Sequence, residues 1–491
     1  MNLAGLGKNT FFYLLGNVCV RASGFILIPL YAHSLSLADF GVLATLLVTI
    51  QMMTLLMGMA TDKGFLRFAS EHQEQGLLGG LLGTTLAINC AGGVIVTALC
   101  LLVAPLFERI LNTSGITPYL LLACGASFTG ALFDRTVVYF RARNEAAKFL
   151  MMTVPVFILL IGANVFYLTI LRQGVRGALE ALILSYGVVW IVIFLGLARK
   201  IRLSVSFDIG KKLLRFSLPL VSAAAAGFSM DMFAVYFLGY FVGQEQVAIY
   251  SLGYKIAQVA AMVCILPFQL AYEPFIYANL GNSEVRFVIP RLLTYLMVTY
   301  AIVSSGLAFL TRPILAIVAP AEYYAAYQVV LFMLPAIGFI GVYYVAESLL
   351  GIAHKTWFAG CVITFFTLAA LSLYYFMVPA WGIYGAIIVF CLSRIITAVV
   401  LMAAGIRAFP IRLEYARLGA GGALILFLLG LIYFLFRLPL YLYYTVVPAA
   451  ALLAAILLYS SALIEDRERS RVRGLVHAIY PRLNGGRVIA D

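Results

Sequence analysis

Residues 174–198 read GVRGALEALILSYGVVWIVIFLGLA, and Arg199, Lys200 and Arg202 follow directly. From Ala181 to Ala198 no side chain carries a charge. An α-helix rises about 1.5 Å per residue, so this run and the turn before it match the ~30 Å hydrocarbon core of a bilayer. Inside lipid the backbone has no water to bond, so such a segment must be helical. Three basic residues at its end, against the single Arg176 at its start, mark the end that stays in the cytoplasm.

The rest of the chain repeats this pattern. Of 491 residues, 64% are hydrophobic and 11% charged, and the mean hydropathy is +1.04. A soluble domain carries roughly 25% charged residues, so water cannot be the main solvent here. Apolar runs place spans near 10–30, 40–60, 80–105, 118–140, 149–171, 177–198, 216–240, 248–270, 292–311, 326–346, 358–378, 381–404, 418–436 and 441–463. This is an all-α polytopic membrane protein of about fourteen helices. The first run has no cleavage site before the second and reads as a retained helix.

Charge sets the orientation. With the N-terminus in the cytoplasm, the cytoplasmic segments hold 24 lysines and arginines. The other side holds only Arg109, Arg172, Arg176, Arg312 and Arg437. Both ends are therefore cytoplasmic, and the net charge of +13 reflects topology, with no call for a nucleic-acid partner. In the tail, Leu475, Val476 and Ile479 stand at roughly helical spacing. That suits a segment lying on the inner membrane surface; a solvated tail is the alternative.

The opening of the quoted stretch recurs. Gly174-Val175-Arg176-Gly177-Ala178-Leu179 matches Gly382-Ile383-Tyr384-Gly385-Ala386-Ile387 at an offset of 208, which Ser185 and Ser393 keep. Phe40-Gly41-Val42 pairs with Val247-Ala248-Ile249 at 207, and the loop 143–149 pairs with 352–358 at about 209. Three matches at one period indicate a duplicated six-helix unit. Six is even, so the two units enter the membrane in the same direction, with an axis along its normal and a cavity between them. The organisation predicted is a lobe over 1–205, a second over 206–413, an added helix pair over 414–463 and a basic cytoplasmic tail over 464–491.

A charge at the bilayer centre costs about 2.5–3.5 kcal/mol even on the lenient insertion scale, so it should face protein or water. Arg21, Lys255 and Arg394 lie deep in spans, with Asn17 one turn before Arg21 and Gln258 on the line of Lys255. Arg135 lies nearer the cytoplasmic end and is expected to snorkel. Asp231 is the one clearly deep acid, and it either faces the cavity or pairs with Lys255. Glu347, Glu273 and Asp134 are placed nearer the inner face. Three deep cations against one anion point to an anionic ligand such as a phosphate or diphosphate. Pro155, Pro219, Pro267, Pro335 and Pro448 interrupt spans, with Pro219 and Pro267 the candidate hinges. Gly76, Gly79, Gly80 and Gly83 form a small face suited to close helix packing.

No catalytic or metal chemistry stands out. The seven cysteines (19, 90, 100, 124, 264, 361 and 391) lie in apolar runs without a CxxC pair. There is no G-x4-G-K-[ST] phosphate loop, no HExxH and no G-x-S-x-G elbow. The chain reads as a transporter and not an enzyme, with no cofactor.

Several stretches resemble a known family. They are Phe216-Ser217-Leu218-Pro219-Leu220, then Asp231, then Leu238-Gly239-Tyr240-Phe241-Val242-Gly243, then Ala248 to Ala257. Leu37-Ala38-Asp39-Phe40-Gly41-Val42 and Tyr139-Phe140-Arg141-Ala142-Arg143 complete the pattern. In these the chain resembles Wzx-type polysaccharide flippases of the multidrug/oligosaccharidyl-lipid/polysaccharide (MOP) exporter superfamily. The resemblance implies movement of an undecaprenyl-diphosphate-linked oligosaccharide across the bacterial inner membrane by alternating access, for O-antigen, capsule or exopolysaccharide synthesis. It implies headgroup contacts from Arg21, Lys255 and Arg394, with Asn17, Gln258 and Arg135 as secondary candidates. Asp231 would structure the cavity or bind a coupling ion, H+ or Na+. Partners would be membrane lipids, a polysaccharide polymerase and a chain-length regulator. An inside-negative potential favours outward movement of an anion by ~2.3 kcal/mol per charge per 100 mV. Rival readings are a lipid II flippase, which usually carries more arginines in its first lobe, and a MATE-like multidrug antiporter.

Overall fold

The computed structural model describes residues 3–71, 75–111, 115–279 and 285–414, together with 417, 419, 422, 423, 430 and 433. The spans expected at 418–436 and 441–463 and the tail 464–491 lie, apart from those last positions, outside the described residues. Among the described residues the regular elements are all helices.

In chain order they are α1 (Leu3–Ser34), α2 (Leu37–Gly58), α3 (Thr61–Glu71), α4 (Gln75–Leu102), α5 (Ala104–Leu111), α6 (Thr117–Ala142) and α7 (Ala146–Val165). There follow α8 (Gly174–Ala198), α9 (Phe207–Met232), α10 (Ala234–Phe241), α11 (Gln244–Ala278), α12 (Val285–Val318), α13 (Ala326–Ile352) and α14 (Thr356–Ala408). Among the described residues, ten helices are long and apolar enough to cross a membrane. α14 is counted there once, but it breaks at Gly382 (φ 55°, ψ −132°) and so supplies both spans expected over 358–404. α1 occupies the place of the first.

The duplication is visible in the backbone. Gly174 and Gly382 both adopt positive φ, 60° and 55°, at the turn into equivalent helices. Gly177 and Gly385 each turn a bare Cα toward the end of the preceding helix, where a Cβ would stand 3.3 Å from Tyr167 O and 2.2 Å from Met377 O. The loop match needs one correction. Asn144 and His354 are the left-handed residues. The closing bonds Glu145 N–H to Phe140 O (3.0 Å) and Lys355 N–H to Leu350 O (2.8 Å) correspond at an offset of 210, not 209. This is the six-to-one bond that ends helices on a left-handed residue.

Three expectations change. The span expected over 216–240 is interrupted at Phe233, whose carbonyl accepts from Tyr236 N–H at 3.0 Å, so the ladder tightens and restarts as α10. α9 and α11 run on through Pro219 and Pro267, so neither proline ends its helix. Gly79 and Gly83 of α4 do not receive another helix. A Cβ at Gly79 or Gly83 would lie 2.4 Å from Arg202 O or 2.5 Å from Ser204 O, so they make room for the extended linker between the halves.

The loops with Arg141, Arg143, Lys148, Arg199 and Lys200 share one end of the bundle, here termed the basic face. At the opposite face the repeat-equivalent helices α2 and α11 meet. Gly41 permits this, because a Cβ there would stand 1.9 Å from Gln244 O. One and two turns further along α2, Thr45 donates to Gln244 Oε1 (3.5 Å) and Thr49 shares a hydrogen bond with Tyr236 Oη (2.9 Å). Gln244 also donates to Ile110 O (3.4 Å), tying α5 into the seam.

Candidate functional site

Below that seam a cavity of about 480 Å³ separates the halves. Helical periodicity explains its walls, since residues three and four apart share a face. α1 contributes Ser23, Gly24, Leu27 and Tyr31; α2 contributes Ala44, Leu47, Val48, Gln51 and Thr54. α6 presents Ala126, Gly130 and Asp134, each four residues from the next, and α8 presents Leu182 and Tyr186. From the second half come Asp231, Met232 and Val235 around the α9–α10 break, and Tyr250, Ser251, Tyr254 and Lys255 on α11. A Cβ at Gly24 or Gly130 would meet nothing within 4 Å, as expected where glycine borders open space.

The walls are apolar with tyrosines set among them. Tyr31 Oη donates to Asn164 Oδ1 at 2.9 Å, and Asn164 Nδ2 donates to Leu160 O at 2.7 Å, which fixes that ring. Tyr250 and Tyr254 lie parallel, centroids 6.4 Å apart, and Gln258 Nε2 donates to Tyr254 Oη at 2.5 Å.

Lys255 reaches the cavity as expected. Its ammonium lies 5.9 Å from the centroid of the Phe40 ring across the seam, and among the described residues it makes no hydrogen bond or ion pair. The other expected cations stand elsewhere. Arg394, only 8% exposed, is bonded to Asp231 and lies outside the lining, so it is no free cation. The partner of Asp231 is thus Arg394 on α14 and not Lys255. Arg135 does not snorkel. It is 7% exposed and its Nη1 donates to Asp62 Oδ1 at 2.9 Å, with Gly58 making room for the guanidinium. Gln258 orients Tyr254 and is not itself in the lining. Asn17 and Arg21 lie on α1, but their side chains are outside the described residues.

Asp134 has a place in the site that the sequence did not assign it. Sequence position puts it nearer the inner face, yet it lines the cavity, exposed within it and without an ion partner among the described residues. Its spacing from Gly130 and Ala126 is the signal that could have found it. The described lining therefore carries Lys255, Asp134 and an Asp231 already neutralised by Arg394, not the cation excess expected.

A family model described as polysaccharide biosynthesis protein matches residues 6–279. The chain belongs to the polysaccharide biosynthesis protein family. This family member is similar in structure to an inward-facing multidrug resistance MATE family transporter of the MOP superfamily. That match has TM-score 0.64 and 17% identity, over 83% of this chain and 96% of that one. It is also similar to the lipid II flippase MurJ in an inward closed conformation, with TM-score 0.68 and 12% identity over 92% and 98% of the two chains. The bent form of the Vibrio cholerae MATE transporter VcmN gives TM-score 0.56 and 17% identity over 86% and 98%. At such identities the likeness establishes the fold, that of MOP-superfamily transporters. No curated protein matches the chain. Fold and apolar helices together make this polysaccharide biosynthesis protein a multi-pass membrane protein.

Proposed function

We propose that the chain is a flippase that carries an undecaprenyl-diphosphate-linked oligosaccharide from the cytoplasmic to the periplasmic leaflet of a bacterial inner membrane, with the basic face cytoplasmic. The observation that carries this reading is the chamber between duplicated halves, which holds the ammonium of Lys255, unpaired among the described residues, beside tyrosine rings. An ammonium in an apolar site attracts phosphate oxygens strongly because little solvent screens it. Tyrosines offer a flat apolar face and a hydroxyl, which suits sugar rings. Tyr250 Oη is buried with no partner among the described residues. The family description supports the carbohydrate pathway.

Transport then follows from the seam. The α2–α11 contact closes the chamber at the opposite face through glycine, a few polar bonds and apolar packing around Phe40, and its parting would open the chamber there. The headgroup binds from the cytoplasm while its lipid tail stays in the bilayer, the seam opens, and the potential favours release outward.

The test is Lys255→Ala in cells that depend on this chain. Surface polysaccharide should fall and lipid-linked repeat units should accumulate, at normal protein level; undiminished surface polysaccharide would count against the reading. Asp134 gives one feature to a rival, since a free carboxylate suits a cationic drug. Efflux of a cationic dye by the reconstituted protein would favour that rival.

A further inference from the structure

The chamber contains two charges without partners among the described residues, one of each sign: Lys255 on α11 and Asp134 on α6. Among the described residues, the charges that act on Asp134 are those of Arg135, Asp62 and Arg141. Arg135, its neighbour in the chain, is hydrogen-bonded to Asp62 of α3. Asp231 of α9 is engaged by Arg394 of α14. Arg141 lies two turns on, at the end of α6, and Lys63 lies on α3 at the basic face. α8 brings Tyr186, while the lining from α2 and α7 brings Gln51 and Thr54 but no charge, and α4 brings nothing to it. A carboxylate so placed is left with water in an apolar chamber, and its charge is sensitive to whatever else enters.

We infer that Asp134 is a proton site linked to headgroup binding, so that the chamber takes up a proton as it takes up an anion. This rests on the proposed anionic substrate. When a diphosphate binds toward Lys255, its negative charge enters the space that Asp134 faces. Like charges in one low-dielectric site raise the affinity of the weaker acid for a proton. Asp134 then takes a proton from chamber water and returns it when the anion leaves. Linkage is reciprocal, so the protonated chamber binds the anion more tightly by the same factor. A sodium ion is a poorer fit, because among the described residues no group of three or more acids, histidines or cysteines is gathered. A lone carboxylate beside Gly130 and Leu182 supplies few of the oxygens such an ion needs.

Calorimetric titration tests this on the purified full-length chain in detergent, with farnesyl diphosphate as probe. Runs at several pH values in two buffers of different ionisation heat read the protons taken up per anion bound. Asp134→Asn mimics the protonated acid at nearly the same size. Protonation of the probe and of Lys255 is common to both proteins, so the difference between them isolates Asp134. Wild type should take up more protons than Asp134→Asn. On acidification the ratio of the wild-type affinity to the Asp134→Asn affinity should rise by up to about tenfold per pH unit. At pH 8, Asp134→Asn should bind the probe more tightly than wild type does at the same pH. Equal proton uptake and parallel pH profiles would overturn the inference while leaving the anion site intact. No binding of the probe by wild type would instead remove the headgroup reading, and this inference with it. If Asp134→Asn does not fold, Asp134→Ser carries the same comparison.

Discussion

The guanidinium of Arg394, near the middle of the second half of α14, is hydrogen-bonded to the carboxylate of Asp231 one residue before the end of α9. Two residues 163 apart in sequence thereby join helices of the second half beside the chamber. Thr397, one turn on, lies 3.7 Å from Met230 Sδ and continues the same contact.

Breaking that pair from one side leaves an uncompensated buried charge, which costs about 3–5 kcal/mol. Arg394→Leu or Asp231→Leu should therefore lower thermal stability in detergent sharply. The double replacement should recover much of the loss, because an apolar pair removes both desolvation penalties together. Equal damage from the double and single variants would show that the pair is not coupled.

Gly130 tests whether the chamber is the transport route. Its missing Cβ would meet nothing within 4 Å, so the side chain of Gly130→Leu projects into the cavity. Within the helix the change is favourable by roughly 0.8–1 kcal/mol. Transport should be lost while folded protein accumulates normally, measured as surface polysaccharide against membrane protein level. Retained transport would place the path elsewhere.

Gly41 tests the seam. A valine there cannot coexist with Gln244 O at 1.9 Å, so Gly41→Val should force α2 and α11 apart. In a protein stripped of its native cysteines, Ser251→Cys in the chamber should then react faster with an impermeant maleimide applied from the periplasm. Unchanged labelling would mean that the seam is not the outer closure.

Gly382 and Gly385 separate two reasons for glycine. Gly382 has room for a side chain but a backbone at φ 55°, ψ −132° that is essentially reserved for glycine, so Gly382→Ala should destabilise by about 1–3 kcal/mol through the backbone alone. Gly385 has an ordinary φ but no room, since its Cβ would meet Met377 O at 2.2 Å, so Gly385→Ala should cost more. Thermal unfolding of the two variants compares them directly.

Membrane class, twelve of the span positions and the duplication could all be read from residue order, because each rests on local pattern. Charges that lipid cannot solvate must sit at span ends, and glycines that adopt positive φ recur with the repeat, as Gly174 and Gly382 do. Lys255 and Asp231 were found for the same reason, since any deep charge in a span is conspicuous. Their partners were not, because a span's charge says nothing of which helix stands opposite. Arg394 could equally have faced the chamber; folding α14 against α9 put it on Asp231. Arg135 and Asp134 are adjacent in the chain, yet helical geometry turns one toward Asp62 and the other into the cavity. Composition and period thus settled what kind of solvent surrounds this chain and how many times its unit occurs. Which charges neutralise one another, and which are left to meet a ligand, followed from distances between helices that no local pattern encodes.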